Sequence, residues 1–186
     1  KQHPEISVDL QITNRLVDLI EEGFDLAIRT AELEDSSLIA RRLIDSRWVI
    51  CATPDYLKRY GTPQTPEELD NHECIIYKLD NTSNNIWPVC IDGTEQLMPV
   101  HGRFHSNHLS AIKQATLSDL GIAFLPQALV HEEIQQHTLT QILQRFTRKE
   151  LGMYAVYPKA RQPDQKLKLL VAHLRDSLHR KQAYYC

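Results

Sequence analysis

Apolar and polar residues alternate along residues 6–12, ISVDLQI, and the apolar spacing then becomes helical over residues 15–22. Alternation with a period of two predicts a strand. The helical spacing begins after Asn14, a good capping residue, and ends at Gly23, so it predicts a short helix. A further apolar stretch at residues 24–29 predicts a second strand. Because the connections are tight, the three elements predict a β–α–β unit with parallel strands.

The rest of the chain alternates between apolar runs and amphipathic stretches. The predicted strands cover residues 38–52, 73–77, 86–91, 97–105, 121–125, 138–143 and 153–158. The predicted helices cover residues 54–61, 107–119, 126–136 and 163–181, and another begins within 65–69. Asp92-Gly93 is a hairpin turn signal, and Thr65 and Glu68 have the spacing of a capping box. Strands that alternate with helices predict an α/β protein with mainly parallel sheets, in one domain or two lobes.

Composition excludes several classes of protein. The chain has 186 residues, of which 42% are hydrophobic, and this is enough to bury a core. No apolar run approaches the roughly 18 residues of a membrane span, and the first residues lack the pattern of a signal peptide. The net charge of −3 gives no electrostatic footprint for DNA. The first half is acidic and the second half basic, which would favour head-to-tail self-association or, less well, phosphate binding by the basic end.

The four cysteines do not form a metal-binding or redox pattern. They are Cys51, Cys74, Cys90 and Cys186, and no two of them have CxxC spacing. Cys51 and Cys74 lie in apolar runs that are predicted to be buried strands. We therefore expect buried thiols in a reducing compartment rather than a disulfide framework.

Three histidines lie within eight residues: His101, His105 and His108. If residues 97–105 form a strand, the first two side chains are roughly 13 Å apart on one face. They could not share a metal ion whose bonds to nitrogen are about 2.0–2.1 Å long. The chain contains no GxSxG, GxGxxG or Walker motif, so neither a nucleophile nor a nucleotide cofactor has support. We expect no metal site, no cofactor and no catalysis.

Polar residues follow three of the predicted strands. These strand ends are Thr13-Asn14, Arg29-Thr30 and Ser106-Asn107-His108. A helix that begins at the carboxyl end of a parallel strand directs its N–H groups and its positive dipole end towards an anion. Each strand end taken alone is equally well explained by helix capping or by a surface salt bridge. Taken together, they predict one polar pocket if the strand ends converge.

Several stretches resemble the effector-binding domain of LysR-type transcriptional regulators. They are HPEISVDL, NRLVDLIEEGFDLAIRTAELEDSSLIARRL, ATPDYLKRYGTPQTPEELDNHECIIY, GRFHSNHLSAIKQATLSDLGIAFLP and YAVYP, and they follow in the order expected for that family. The resemblance implies two Rossmann-like α/β lobes of the periplasmic-binding-protein type II fold. Two crossover segments, near SRWVICA and MYAVYP, would join them. Lobe one would comprise residues 1–49 and 156–186, and lobe two residues 50–155.

The same resemblance implies a function and a set of site residues. A small, anionic effector would bind between the lobes and shift the conformation of a homodimer or homotetramer, and this shift would control transcription in a bacterial cytoplasm. Its contacts would be Thr13, Asn14, Arg29 and Thr30 from lobe one, and Ser106, Asn107 and His108 from lobe two. The family's DNA-binding helix-turn-helix, its linker helix and the first strand and helix of lobe one are expected to lie ahead of Lys1.

Three other interpretations of the same scaffold stay open. A periplasmic solute-binding protein would share the fold, although four unpaired cysteines and the absence of a signal peptide argue against it. A dehydratase of small acids would need an acid or base in the cleft, and His108 is the one candidate for it. A purely oligomerising module would bind no ligand. The identity of the effector, the promoters, the sign of regulation and any pH sensing by His105 and His108 are not specified by the sequence.

Overall fold

The computed structural model describes residues 6–13, 15, 17–30, 38–78, 85–147, 150–161 and 165–185. Its strands are β1 (Ala27–Thr30), β2 (Leu38–Ala52), β3 (Cys74–Tyr77), β4 (Ile86–Ile91), β5 (Thr94–Pro99), β6 (His105–Ser106), β7 (Ile122–Pro126), β8 (Thr140–Ile142) and β9 (Glu150–Pro158). Its α-helices are α1 (Pro54–Tyr60), α2 (Leu109–Leu117), α3 (Gln127–Gln135) and α4 (Gln165–His179). No helix in these ranges is long and apolar enough to cross a membrane.

The chain divides into two compact units. The first unit contains Lys1–Ile44 and Gly152–Gln182, and the second contains Asp45–Leu151 and Ala183–Cys186. Two strands, β2 and β9, are each shared between the units. Two of the three crossings between the units therefore lie within continuous extended strands, and the third lies at Gln182–Ala183.

The second unit is built on a mixed sheet. In it, β3 pairs in parallel with β7 on one side and with β6 on the other, so the carboxyl ends of these three strands share one edge. The strand β7 also pairs antiparallel with β2, with Trp48 opposite Pro126, and the short β8 pairs with the end of β2. The first residues of β2 in this unit therefore lie at the same edge as the carboxyl ends of β3, β6 and β7.

Both faces of this sheet are covered. Ile50 and Ala52 of β2 pack with residues of α1 and with Trp87 of β4 in one cluster of buried side chains. Val49 and Cys51 point to the opposite face and pack with residues of α2 and α3 in a second cluster. Strands that are buried on both faces have continuous apolar sequences instead of alternating ones, as WVICA and CIIY do here.

The hairpin predicted at Asp92-Gly93 is confirmed. Strands β4 and β5 pair antiparallel, with Ile91 opposite Thr94, and the two residues between them have φ values of 51° and 81°. Positive φ at both central positions is the requirement of the tight turn that best matches the twist of paired strands.

The strand predicted over residues 97–105 is wrong in its extent. The structure ends β5 at Pro99 and begins the short β6 at His105. Between them, the chain changes partner: the carbonyl of His101 accepts the N–H of Cys74 at 2.9 Å. A side chain at Gly102 would lie 1.9 Å from the carbonyl oxygen of Cys74, so the backbones approach there as closely as glycine allows.

The β–α–β unit predicted for residues 6–29 is also wrong. Residues 6–13 form no ladder with any other described residue, and Val8, Leu10 and Ile12 are 63%, 76% and 84% exposed. An alternating pattern becomes a strand only when a partner covers one face. The second predicted strand exists as β1, but it pairs antiparallel with β9.

The helix predicted over residues 15–22 shortens to a single turn. Its cap is Asp18, whose carboxylate accepts the N–H groups of Ile20 and Glu21 at 2.9 and 3.0 Å. The predicted cap, Asn14, lies outside the described residues, whereas Gly23 ends the turn at φ 73° as predicted. A short helix that buries little apolar surface does not repay the cost of nucleation, and the side chain of Leu19 is the one fully buried in this turn.

Two helix starts illustrate the limits of capping signals. Thr53 caps α1, which begins at the predicted position, since its hydroxyl accepts the N–H of Tyr56 at 3.2 Å. The capping box at Thr65 and Glu68 is wrong: Thr65 makes no side-chain cap, and the Glu68 carboxylate accepts the N–H of Gln64 at 2.8 Å. The segment forms a 3₁₀ turn over Pro66–Asn71. Because a 3₁₀ turn is wound more tightly than an α-helix, the Glu68 carboxylate reaches the N–H of Gln64 instead of that of Thr65.

Candidate functional site

Ser106, Asn107 and His108 lie in the second unit, where β6 ends and α2 begins. The carbonyl of Ser106 accepts the N–H of Lys78 at 2.9 Å, which fixes this corner to the end of β3. The Ser106 hydroxyl accepts the N–H of His108 at 3.0 Å, and His108 is itself the N-cap residue. The prediction that Ser106 or Asn107 caps α2 is therefore wrong by one or two residues, because the serine hydroxyl is used in the preceding turn.

The amino end of α2 offers backbone donors at this corner. His108 makes no side-chain cap, and its carbonyl accepts the N–H groups of Ala111 and Ile112 at 3.0 and 3.1 Å. The N–H groups of Leu109 and Ser110, the first two residues of α2, have no acceptor within the helix. The amino end of α3 follows directly after Pro126 at the same edge of the sheet. Two helix dipoles thus direct positive potential towards this edge.

Arg29 lies in the first unit, on β1, and its side chain is half-buried. One guanidinium nitrogen donates to the carbonyl of Val17 at 2.5 Å. Among the residues that the structure describes, no carboxylate forms an ion pair with it. A guanidinium carries five N–H donors, so the one described hydrogen bond, to a neutral carbonyl, uses a small part of its hydrogen-bonding capacity.

Arg15 also lies in the first unit, but its situation is different. Its guanidinium binds both carboxylate oxygens of Glu22. The hydrogen bond to Arg15 holds the pKa of Glu22 below its usual range, and the same hydrogen bond raises the pKa of Arg15. Glu22 therefore neutralises Arg15, whereas no described carboxylate is paired with Arg29.

The remaining predicted residues of the first unit have separate positions. The Thr13 hydroxyl accepts the N–H of Arg15 at 3.3 Å, and Asn14 lies outside the described residues. Thr30 is exposed and follows Arg29 in the same strand. Successive strand residues point to opposite faces, so the side chains of Arg29 and Thr30 leave β1 in opposite directions.

The three clustered histidines have three different environments. His101 lies 3.4 Å from the carboxylate of exposed Asp70, and a ring nitrogen of His105 lies 2.9 Å from the carbonyl of Gly102. His108 is the N-cap of α2. In the described parts of the chain, no three histidine, cysteine or acidic side chains are grouped closely enough to hold a metal ion.

The described buried cysteines are poor nucleophiles. Burial raises the pKa of the Cys51 thiol to about 12, and burial has the same effect on Cys74. A thiol must lose its proton to attack a substrate, so both remain unreactive near neutral pH. Their positions in the strand core are those of small apolar residues.

Two aromatic residues next to the predicted site residues were missed by the sequence analysis. Tyr154 of β9 lies directly opposite Arg29, and Tyr77 of β3 lies directly opposite Ser106. Both tyrosines are half-buried. No signal in the sequence could have found them, because cross-strand neighbours depend on the register between distant segments.

The sequence of this chain is similar to those of known transcriptional regulators. Residues 1–179 match the family model described as the LysR substrate binding domain. The chain is 32% identical over 179 residues to the HTH-type transcriptional regulator CrgA of Neisseria meningitidis, which covers 96% of this chain and 59% of that protein. It is 33% identical over 178 residues to the HTH-type transcriptional activator AaeR of Escherichia coli, which covers 95% of this chain and 57% of that protein.

The solved structures agree with these relatives. The regulatory domain of CrgA from Neisseria meningitidis superposes with a TM-score of 0.76 at 31% identity, over 86% of this chain and 78% of that one. This similarity confirms the fold class predicted from the sequence. The chain spans between half and two thirds of the length of the full regulators that it matches.

Proposed function

The chain belongs to the LysR substrate-binding domain family, and from that premise we propose that it binds a small anionic effector within a transcriptional regulator. The observation that carries this proposal is Arg29, a half-buried guanidinium whose described partner is a neutral carbonyl. No carboxylate of the described residues pairs with this charge, and a ligand carboxylate would form charge-assisted hydrogen bonds with it.

The seven residues predicted from the sequence are proposed as effector contacts: Thr13, Asn14, Arg29, Thr30, Ser106, Asn107 and His108. Arg29 would bind the charge of the effector through two parallel N–H donors. The N–H groups at the start of α2 would donate hydrogen bonds to a second polar group of the effector. Each charge-assisted hydrogen bond of this kind contributes on the order of 1.5–3 kcal/mol.

The proposed mechanism is a shift of conformational population. An effector that prefers one arrangement of lobe one (1–49 and 156–186) and lobe two (50–155) would stabilise that arrangement. A coupling free energy of about 1–3 kcal/mol changes an equilibrium 5- to 150-fold, which is enough to alter transcription. The conformational change would be transmitted to a separate DNA-binding domain in a cytoplasmic homodimer or homotetramer.

The comparisons favour this proposal over the other interpretations. The relatives and the solved structure described above are named as transcriptional regulators. We propose that the chain is not a catalyst, because its described buried thiols are held protonated and the three clustered histidines lie in separate environments. A purely oligomerising module remains the interpretation that the following experiment must exclude.

Thermal unfolding of the protein with benzoate, acetate, succinate and a neutral amide at 10 mM tests the proposal. We expect at least one carboxylate to raise the melting temperature, since a ligand at 100 times its Kd stabilises by about 2.7 kcal/mol. Arg29→Gln should abolish the increase, whereas Arg15→Gln should keep it because Arg15 is already bound to Glu22. An increase that survives in Arg29→Gln, or no increase with any carboxylate, would contradict the proposal.

A further inference from the structure

Tyr154 and Arg29 form a direct cross-strand pair in the first unit. Directly opposite residues of two antiparallel strands point to the same face, and their Cβ atoms lie about 4.5–5.5 Å apart. The face that carries Arg29 therefore also carries Tyr154. Both side chains are half-buried, so both present part of their surface to solvent or to a ligand.

The direction of the Tyr154 side chain is fixed by the residue two positions before it. A Cβ atom built on Gly152 would lie 2.5–2.7 Å from the ring and hydroxyl atoms of Tyr154. The tyrosine thus lies over the bare backbone of Gly152, on a surface that any other residue would cover with its own side chain. This direction along β9 corresponds to the carboxyl end of β1, because Met153 pairs with Thr30, the last residue of β1.

From this arrangement we propose that Tyr154 is a specificity-determining residue that selects a flat, aromatic body attached to the carboxylate that Arg29 binds. The inference rests on the proposed function, since it assumes that Arg29 receives the charge of the ligand. On the strand face that it shares with Arg29, Tyr154 offers an aromatic face and a hydroxyl. An aromatic face stacks well against a planar ring and less well against a puckered one of equal size.

Gly152 contributes to the proposed selectivity because it allows the position of the Tyr154 ring. It makes room for the tyrosine ring without contacting the ligand itself. A methyl group at residue 152 would displace the ring from its position, because distances of 2.5–2.7 Å are shorter than any normal contact to a Cβ atom. Gly152→Ala should therefore reproduce the loss of selectivity caused by removing the ring, although it leaves Tyr154 in the chain.

The test is calorimetric titration of the protein with benzoate and with cyclohexanecarboxylate, which share their charge and carbon number and differ in flatness. We expect the wild-type protein to prefer benzoate. Tyr154→Ala should lower the affinity for benzoate by about tenfold and bring the affinity ratio of the two acids close to one. Tyr154→Phe should keep the ratio, since the ring remains. Tyr157→Phe, on the same strand but the opposite face, should leave both affinities unchanged and is the matched control.

The outcomes separate the two proposals. Loss of the ratio in Tyr154→Ala and Gly152→Ala, with an unchanged control, supports the role of Tyr154. A ratio that stays unchanged in Tyr154→Ala, while Arg29→Gln abolishes binding of both acids, overturns the role of Tyr154 and leaves the proposed function intact. Binding that is absent in the wild type, or unchanged in Arg29→Gln, overturns the proposed function and this inference with it. If Tyr154→Ala does not fold, Gly152→Ala and Tyr154→Leu decide in its place.

Discussion

The hydroxyl of Thr53 donates a hydrogen bond to the carboxylate of Asp119 and accepts the backbone N–H of Tyr56 at 3.2 Å. Thr53 is buried and precedes α1, whereas Asp119 follows α2 at a positive φ of 59°. One side chain thus caps the first helix of the second unit and ties it to the turn that leads into β7. The corner depends on both interactions at once.

Thr53→Ala should destabilise the protein by about 1–2 kcal/mol, because it removes a helix cap and leaves Asp119 without its hydroxyl partner. Urea unfolding measures the change. The matched control is Thr65→Ala, since Thr65 also precedes a helical turn but makes no side-chain cap. Equal losses in the two variants would show that the Thr53 hydroxyl contributes nothing specific.

His72 should make stability depend on pH below neutrality. Its Nδ1 lies 3.3 Å from the hydroxyl of Tyr56, which also accepts the N–H of Glu73 at 3.1 Å, so the hydroxyl is placed to donate to a neutral imidazole. Burial lowers the pKa of His72 below 6.5 in the folded state, whereas nearby Glu68 opposes this shift. The unfolded state therefore binds the proton more tightly, and stability falls as the pH drops from about 6.5 towards the folded pKa.

Urea unfolding at pH 7.5, 6.5 and 5.5 tests this assignment. The stability of His72→Gln should depend less on pH across this range than that of the wild-type protein, because the titrating group is gone. His108→Gln should keep the wild-type dependence, since His108 is exposed at the start of α2. A pH dependence that survives in His72→Gln and disappears in His108→Gln would contradict the assignment.

Gly121 should tolerate no side chain. Its φ of 159° is rare for other residues, and a Cβ atom would lie 2.2 Å from the backbone oxygen of Glu73. Gly121→Ala should cost about 2 kcal/mol or more, because backbone on both sides must move. Gly61→Ala isolates the effect of φ, since Gly61 also has a positive φ but has open space around it. Melting temperatures compare the two, and a smaller loss at Gly121 than at Gly61 would refute the steric argument.

The ion pair between Lys113 of α2 and Glu133 of α3 should stabilise the helix pair more than surface pairs do. The two side chains are 19% and 18% exposed, Lys113 also donates to the carbonyl of Leu129 at 3.0 Å, and one Glu133 oxygen is buried without another partner. Lys113→Met should therefore cost about 2–3 kcal/mol, since it leaves a largely buried carboxylate uncompensated.

Arg103→Met provides the comparison for Lys113→Met. Arg103 pairs with Glu73 at 3.1 Å but is almost fully exposed, so its loss should cost no more than about 0.5 kcal/mol. The double variant Lys113→Glu with Glu133→Lys restores opposite charges at the two positions. In urea unfolding it should recover part of the stability that Lys113→Met loses. Similar losses in the Lys113 and Arg103 variants would show that burial does not strengthen the pair.

The elements of the second unit are largely predictable from local sequence. The run WVICA and the hairpin signal at Asp92-Gly93 mark β2 and the β4–β5 turn, because strands buried on both faces and a turn with two positive φ values need those residue types. Residues 6–22 were predicted less well. Their alternating and helical patterns are real, but pattern yields structure only where a partner covers the apolar face, and Val8, Leu10 and Ile12 have no such cover.

The candidate site shows a second limit of sequence reasoning. The sequence identifies Arg29 as a cation at a strand end, but it does not show that the described partner of Arg29 is the Val17 carbonyl while Glu22 pairs with Arg15. The opposite directions of Arg29 and Thr30 follow from β1 being a true strand. The proximity of Tyr154 to Arg29 depends on the register between segments more than 100 residues apart, which no local pattern encodes.

Nuclear magnetic resonance of the arginine side chains during titration with benzoate tests directly whether Arg29 binds the carboxylate of the effector. The Arg29 Nε–H resonance, assigned by its absence in Arg29→Lys, should shift saturably because the guanidinium binds the carboxylate. The Arg15 resonance should stay in place, since Glu22 already occupies that guanidinium. An Arg29 resonance that does not move while benzoate stabilises the protein would contradict the claim that this arginine receives the effector.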